Sequence, residues 1–154
     1  MRSVMLVAGF ALLAGCSDDG ERQRLAEKVS VEGDASPSPL GGEAGDAARG
    51  LSVFTSRDEG HCVLCHAVDG LEAEFQGNVG PALTGVGDRL TPAQIRMRIA
   101  DAQRIWPQTV MPSYYRVNGL NQVGEAYRGK PALTALQIED LVAYLSTLKI
   151  EDEP

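Results

Sequence analysis

The hexapeptide HCVLCH, residues 61–66, holds most of the groups in this chain that could bind a metal or react as thiols. It contains both histidines of the 154-residue sequence and two of its three cysteines. Two thiols and two imidazoles this close together are compatible with a zinc site, a redox-active dithiol or a covalent attachment point for haem. The sequence around the hexapeptide has to distinguish between these three chemistries.

Zinc and dithiol chemistry are both disfavoured by this context. A structural zinc site usually combines one pair of nearby ligands with a second, distant pair. The second pair here would be His61 and His66, each adjacent to a cysteine, and adjacent residues do not easily converge on one tetrahedral ion. A thioredoxin-like dithiol normally accompanies a βαβ pattern, and the sequence shows no such pattern.

The C-x-x-C-H spacing indicates attachment of one c-type haem. Cys62 and Cys65 are three residues apart, so they lie on the same side of a helical turn and can reach the two vinyl groups of a porphyrin. His66 then follows at the position from which its imidazole can ligate the iron. We therefore predict thioether bonds from both cysteines and axial ligation by His66.

The second axial ligand is predicted to be Met111. It lies in a non-helical segment and precedes Pro112, which restricts the conformation of Met111 and stiffens the loop around a weak thioether ligand. Met97, between two arginines of a predicted helix, is interpreted as a packing residue. The alternatives are that Met111 also belongs to the core, or that the distal site stays open for ligand binding or peroxidatic chemistry. His/Met ligation would make the domain an electron carrier without a catalytic site of its own.

The loop after the motif is predicted to complete the haem pocket. A ligating histidine needs a partner for its other ring nitrogen, commonly a backbone carbonyl, and the Gly80-Pro81 loop is the best candidate. Leu83 is predicted to pack on the haem edge. Three further side chains are either partners of the haem propionates or solvated surface residues: Arg98, Trp106 and Arg116.

The elements that position these residues are predicted to be helices. Residues 47–54 read as a helix with Asp46 as N-cap, Thr91-Pro92 begins a second helix, and the capping box Thr134–Gln137 begins a third. No alternation of apolar and polar residues favours a sheet. We predict an all-α domain over residues 47–150, with a few helices and long loops wrapped around one haem.

The N-terminus is predicted to be an export signal and not part of the fold. Residues 1–15 contain an apolar run too short to span a bilayer, and Leu13-Ala14-Gly15-Cys16 resembles the bacterial lipobox. Lipidation at Cys16 would make the protein a periplasmic, membrane-anchored lipoprotein; the alternative is an ordinary signal with a chance cysteine. Residues 16–46 read as a flexible tether, and residues 151–154 as a disordered tail.

The charge of the chain excludes one class of partner. The formal net charge is −7 and the sequence pI about 4.8. An acidic chain repels a phosphate backbone, so nucleic acid is not an expected partner.

The pattern of motifs resembles class I cytochromes c. It comprises Gly50-x-x-x-Phe54, CxxCH, Gly80-Pro81-x-Leu83, Met111-Pro112 and Leu141-Val142-Ala143-Tyr144-Leu145. The resemblance implies that the first and last helices cross at the glycine, near Phe54 and Tyr144. The segments TVMPSYYRV, residues 109–117, and YRGKP, residues 127–131, narrow the resemblance to the SoxX family of bacterial sulfur-oxidising systems.

The SoxX resemblance implies a partner and a reaction. In that family SoxX pairs with a second cytochrome, SoxA, and the complex oxidatively couples thiosulfate to a cysteine of the carrier SoxY. The sulfur chemistry belongs to SoxA, while SoxX accepts electrons and passes them to a downstream acceptor. A generic membrane-tethered cytochrome c that serves a respiratory oxidase or another partner is the alternative. The lipobox is a departure, because many relatives look like plain periplasmic proteins.

Overall fold

The computed structural model describes residues 25–150, and this part of the chain is helical. Its α-helices are α1 (Ala47–Thr55), α2 (Val86–Arg89), α3 (Pro92–Ile105) and α4 (Ala135–Thr147), and 3-10 turns lie at Leu40–Gly42, Cys62–Leu64 and Glu125–Tyr127. Over the described range there is no β-strand, only isolated bridges. The all-α prediction is confirmed. The predicted signal peptide, Cys16 and the C-terminal tail lie outside the described residues.

None of the helices between residues 25 and 150 is both long enough and apolar enough to cross a bilayer.

The three long helices begin where the sequence predicts, because each start is fixed by local capping. The side chain of Asp46 accepts a hydrogen bond from the backbone N–H three residues later. Thr91 with Gln94, and Thr134 with Gln137, form reciprocal capping boxes at the starts of α3 and α4. Each box satisfies backbone N–H groups that have no partner inside the helix.

Helices α1 and α4 cross at Gly50, as the resemblance to class I cytochromes implies. A Cβ at this position would overlap the backbone carbonyl of Asp140 and lie 2.7 Å from the Cβ of Tyr144. Only glycine therefore allows the two backbones to approach this closely. Beside the crossing, the rings of Phe54 and Tyr144 pack with their centroids 5.5 Å apart and their planes inclined by 57°.

Residues 25–46, the N-terminal segment, pack on the domain where the sequence predicts a flexible tether. Three side chains of this segment are buried, those of Leu25, Ser36 and Leu40. The Ser36 N–H donates to the carbonyl of Ala93 at 2.9 Å. The tether prediction is thus wrong for this range, because scattered apolar residues and long-range polar contacts order a segment that has no helical or alternating pattern.

A buried ion pair between α3 and α4 holds the N-terminal segment in place. Arg96 donates from Nε to Oε1 of Glu139 at 2.7 Å and from Nη2 to Oε2 at 2.8 Å. The remaining Nη1 donates to the carbonyl of Ser36 at 2.7 Å, and the N–H of Leu40 donates to Glu139 at 2.9 Å. Both charged side chains are almost completely buried, so the charge of each is stabilised by the other and not by water.

Replacing Glu139 by glutamine should therefore destabilise the protein strongly. Glu139→Gln keeps the side-chain shape but leaves the Arg96 guanidinium buried without a counter-charge. We expect a loss of about 3 kcal/mol in the free energy of unfolding, measured by urea denaturation of the haem-loaded protein.

Glu125→Gln is the matched control, because the pair between Glu125 and Arg128 is exposed on both sides, with an N–O distance of 3.3 Å. Exposed pairs contribute little, so its urea midpoint should match the wild type. Equal midpoints for both variants would contradict the stabilising role of the buried pair.

Candidate haem-binding site

One cavity of about 630 Å³ brings together the residues singled out from the sequence. Its walls come from α1, the CxxCH turn, the loop 79–83, helices α2 to α4 and the segment after α3. The predicted site residues that line it are Cys62, Cys65, His66, Pro81, Leu83 and Met111. Residues from separate parts of the chain thus share one apolar space of a size usual for cofactor sites.

The CxxCH motif forms a tight turn after α1. His61 adopts a left-handed conformation with φ 56°, and the N–H groups of Cys65 and His66 both donate to the carbonyl of Cys62, at 3.1 and 2.9 Å. The turn directs the two cysteines and His66 to the cavity. His61 is exposed and is not among the lining residues.

The loop 77–83 runs alongside the motif and forms the wall behind His66. Backbone hydrogen bonds of 2.8 to 2.9 Å join them, from the N–H groups of Gly77, Gly80 and Leu83 to the carbonyls of Val63, Cys65 and Ala67 respectively. Arg89 supports the same loop by donating to the carbonyls of Thr84 and Ala82, at 2.6 and 3.2 Å. Sequence reasoning missed this arginine, which has no motif of its own.

The ring of His66 is oriented by Pro81, as predicted. Nδ1 of His66 lies 2.7 Å from the carbonyl oxygen of Pro81. A carbonyl only accepts, so Nδ1 carries the proton and Nε2 keeps its lone pair for a metal. A Cβ at Gly80 would lie 2.6 Å from Nδ1 and 2.8 Å from Nε2, so a glycine is needed where the loop passes the ring.

The two methionines of the domain have different environments. Met111 lines the cavity and is partly buried. Met97 has 0% of its surface exposed and does not line the cavity, which confirms its interpretation as a packing residue. A thioether is therefore available to a group in the cavity from Met111.

The three side chains considered for haem propionates separate into two groups. Arg98 and Trp106 line the cavity, with the guanidinium 5.0 Å from the ring centroid of Trp106, and Arg98 also pairs with Asp34 at 2.8 Å. Arg116 is buried against Asp101, away from the cavity. It belongs to neither of the classes that the sequence allowed, propionate partner or solvated surface residue.

Burial at the cavity disfavours charge on the groups that line it. It raises the pKa of the Cys62 thiol to about 12, and it raises the pKa of Tyr114 above its ordinary value. The phenol of Tyr114 instead donates a hydrogen bond to the carbonyl of Gly60 at 2.8 Å, which connects the segment after Met111 to the start of the motif. No sequence pattern indicated this contact.

The donor set fits a covalently bound haem. Two thiols, an imidazole with a free Nε2 and a thioether border an apolar cavity, and these groups could supply two thioether links and two axial ligands. In the described part of the chain, no three His, Cys, Asp or Glu side chains are grouped so that they could hold a metal ion by themselves.

Comparisons with known proteins give one matching family and similar solved structures. The sequence model of the cytochrome c family matches residues 47–149. A chain in the crystal structure of SoxXA from P. pantotrophus is similar with a TM-score of 0.75 and 37% identity, over 83% of this chain and 99% of that one. The c-type cytochrome SorU from Sinorhizobium meliloti matches with a TM-score of 0.39 and 24% identity, over 67% and 90%. No curated protein matches the chain significantly.

The family match spans the CxxCH motif, the Pro81 loop and Met111, and the match to the SoxXA structure extends over most of the chain. Both agree with a cavity built for one covalently attached haem. The chain therefore belongs to the cytochrome c family, as an electron-transfer monohaem class I cytochrome of the SoxX type.

Proposed function

We propose that the domain accepts electrons from thiosulfate oxidation as the SoxX-type subunit of a SoxAX-like complex. The observation that carries this proposal is the cavity in which the CxxCH turn and Met111 meet, in a chain 37% identical to one from a SoxXA structure. The residues TVMPSYYRV around Met111 support the same assignment, because they are more specific than CxxCH.

Each residue of the site has a role in this proposal. Cys62 and Cys65 would anchor the haem, His66 and Met111 would ligate its iron, and Pro81 holds the protonated nitrogen of His66. Haem iron with these ligands supplies reversible one-electron transfer. Both axial positions are then occupied by the protein, so no position is left for a substrate.

The proposed reaction is an oxidation, and this domain accepts the electrons that it releases. Coupling thiosulfate to the thiol of a carrier-protein cysteine gives a cysteine S-thiosulfonate. One S–S bond forms, the thiol S–H bond breaks, and one proton and two electrons are released. The sulfur chemistry takes place on the SoxA-like partner, and this subunit carries the electrons away. A single haem accepts one electron at a time, so each coupling event requires two transfers to the downstream acceptor.

Exposed apolar side chains at the cavity favour binding of a partner protein at this surface. Val79, Trp106 and Val110 line the cavity while 69%, 50% and 81% of their surfaces are exposed. Large apolar side chains exposed together at a cofactor cavity mark either a contact with the cofactor itself or an interaction surface. The rim of the cavity is therefore the proposed contact surface for the SoxA-like subunit.

Reduction of the haem by thiosulfate should require the partner proteins. We expect the oxidised, haem-loaded chain to be reduced when a SoxA-like cytochrome, its carrier protein and thiosulfate are all present, followed by absorption of the reduced haem. Omission of any one of them should abolish the reduction. If dithionite reduces the haem but the complete mixture does not, the thiosulfate assignment is wrong and the generic electron carrier is favoured.

Ligation by Met111 should be visible in the spectrum of the oxidised protein. Met111→Leu removes the thioether and should abolish the Met–Fe(III) charge-transfer band. Met97→Leu is the same substitution in the core, where a volume-conserving change is tolerated, and it should keep the band. A band retained in the Met111 variant, or lost equally in both, would contradict the assignment.

We also propose that Cys16 is lipidated and anchors the protein at the periplasmic face of a membrane. The support is the sequence Leu13-Ala14-Gly15-Cys16 after a short apolar run. Cys16→Ser should move most of the protein from the membrane fraction to the soluble fraction, measured by immunoblot after ultracentrifugation. Wild-type protein that is already soluble, with its N-terminus beyond Cys16, would refute the proposal.

A further inference from the structure

Helix α3 is interrupted near its C-terminal end, at Asp101. This residue has φ −156° and ψ 73°, outside the helical region, and 0% of its surface is exposed. The backbone carbonyls just before it, those of Ile99 and Ala100, accept hydrogen bonds from the N–H groups of Tyr114 and Tyr115 at 3.3 and 3.0 Å. The interruption thus binds the chain segment that follows Met111.

The carboxylate of Asp101 reinforces this attachment. It accepts a hydrogen bond from Oγ of Ser113 at 2.6 Å and one from Nε of Arg116 at 3.2 Å, and Nη2 of Arg116 forms a further ion pair with it. Ser113 and Arg116 are each at most 5% exposed. Ser113 is separated from Met111 only by Pro112, so the anchored atoms are close to the predicted iron ligand along the chain.

Arg116 is itself fixed from the other side. It forms an isolated bridge with Leu25, and the N–H of Ala26 donates to the carbonyl of Tyr115 at 2.9 Å. None of Asp101, Ser113 and Arg116 lines the cavity. These buried polar groups therefore have no direct part in holding the haem.

Residues 106–113, which follow α3, are called the Met111 loop. They make few other hydrogen bonds with the described part of the chain. Val110 is 81% exposed and Pro112 is also exposed. Within the loop, the N–H of Thr109 donates to the carbonyl of Trp106, and its Oγ1 accepts from the N–H of Met111 at 3.2 Å. A weak thioether ligand on such a loop would leave the iron whenever the loop opened.

We propose that Asp101 is a positioning residue for Met111. Through Ser113 and Arg116 it closes the Met111 loop and keeps the thioether at the iron, so that both oxidation states keep the same ligands. The inference rests on the ligation by Met111 proposed above. It adds that the fraction of molecules in which Met111 stays at the iron is set by a buried carboxylate outside the cavity.

Added imidazole tests the proposal, because it binds the oxidised iron only when Met111 is displaced. Its apparent affinity is therefore the intrinsic affinity multiplied by the fraction of molecules in which the loop is open and Met111 is displaced. The titration uses the oxidised, haem-loaded protein and follows the loss of the Met–Fe(III) charge-transfer band. Loss of a hydrogen bond to a charged carboxylate in Ser113→Ala should lower the apparent Kd of imidazole by about tenfold, and Asp101→Asn should lower it further.

Two control variants separate positioning from general destabilisation. Glu139→Gln disrupts the other buried ion pair, between α3 and α4, and should lower stability while changing the apparent Kd of imidazole far less than Asp101→Asn does. Ser36→Ala removes a buried hydroxyl that has no hydrogen-bond partner among residues 25–150, and it makes the same chemical change as Ser113→Ala at a buried position. Its imidazole titration should superimpose on that of the wild type.

The outcomes distinguish this inference from the ligation proposal. Unchanged imidazole affinity in Ser113→Ala would overturn the positioning role, even if Asp101→Asn failed to fold. A shift in Glu139→Gln as large as in Asp101→Asn would also overturn it. Absence of the charge-transfer band in the wild type would instead refute the ligation by Met111.

Discussion

The close crossing of α1 and α4 at Gly50 is the constraint on which the rest of the structure depends. It places Phe54 on one helix and Leu141 and Leu145 on the other, and all three side chains line the haem cavity. The CxxCH turn follows directly from α1, so its position relative to α4 is set by the same contact. A larger residue than glycine at the crossing would separate the two helices and open the cavity at its base.

The features that sequence analysis predicted well are the local ones. The capping boxes at Thr91 and Thr134 fix helix starts through residues three positions apart, and the spacing of the CxxCH motif is fixed by a single turn. The hydrogen bond between His66 and Pro81 could be anticipated because a ligating imidazole requires a partner and the glycine-rich loop offers carbonyls. In each case the relevant groups are close in sequence or belong to one known motif.

The features that sequence analysis missed depend on pairs of charges far apart in the chain. Nothing in the composition shows that Arg96 will meet Glu139 and also bind the backbone of residue 36, or that Arg116 will meet Asp101 in an interrupted helix. Each pair orders a stretch of chain that has no regular secondary structure. A fold with long loops around a cofactor has few backbone ladders, and buried ion pairs with several hydrogen bonds can specify loop positions in their place.

The ordered N-terminal segment also determines how an anchored protein would stand on a membrane. Leu25, where the described chain begins, pairs with Arg116 just beyond the Met111 loop. Leu25 is only nine positions after Cys16, so even a fully extended chain between them spans about 30 Å. With the proposed lipid on Cys16, the Met111 side of the haem would be confined near the bilayer surface. Electron exchange would then be confined to a thin layer above the lipid, where a membrane-bound acceptor has a much higher local concentration than a freely diffusing one.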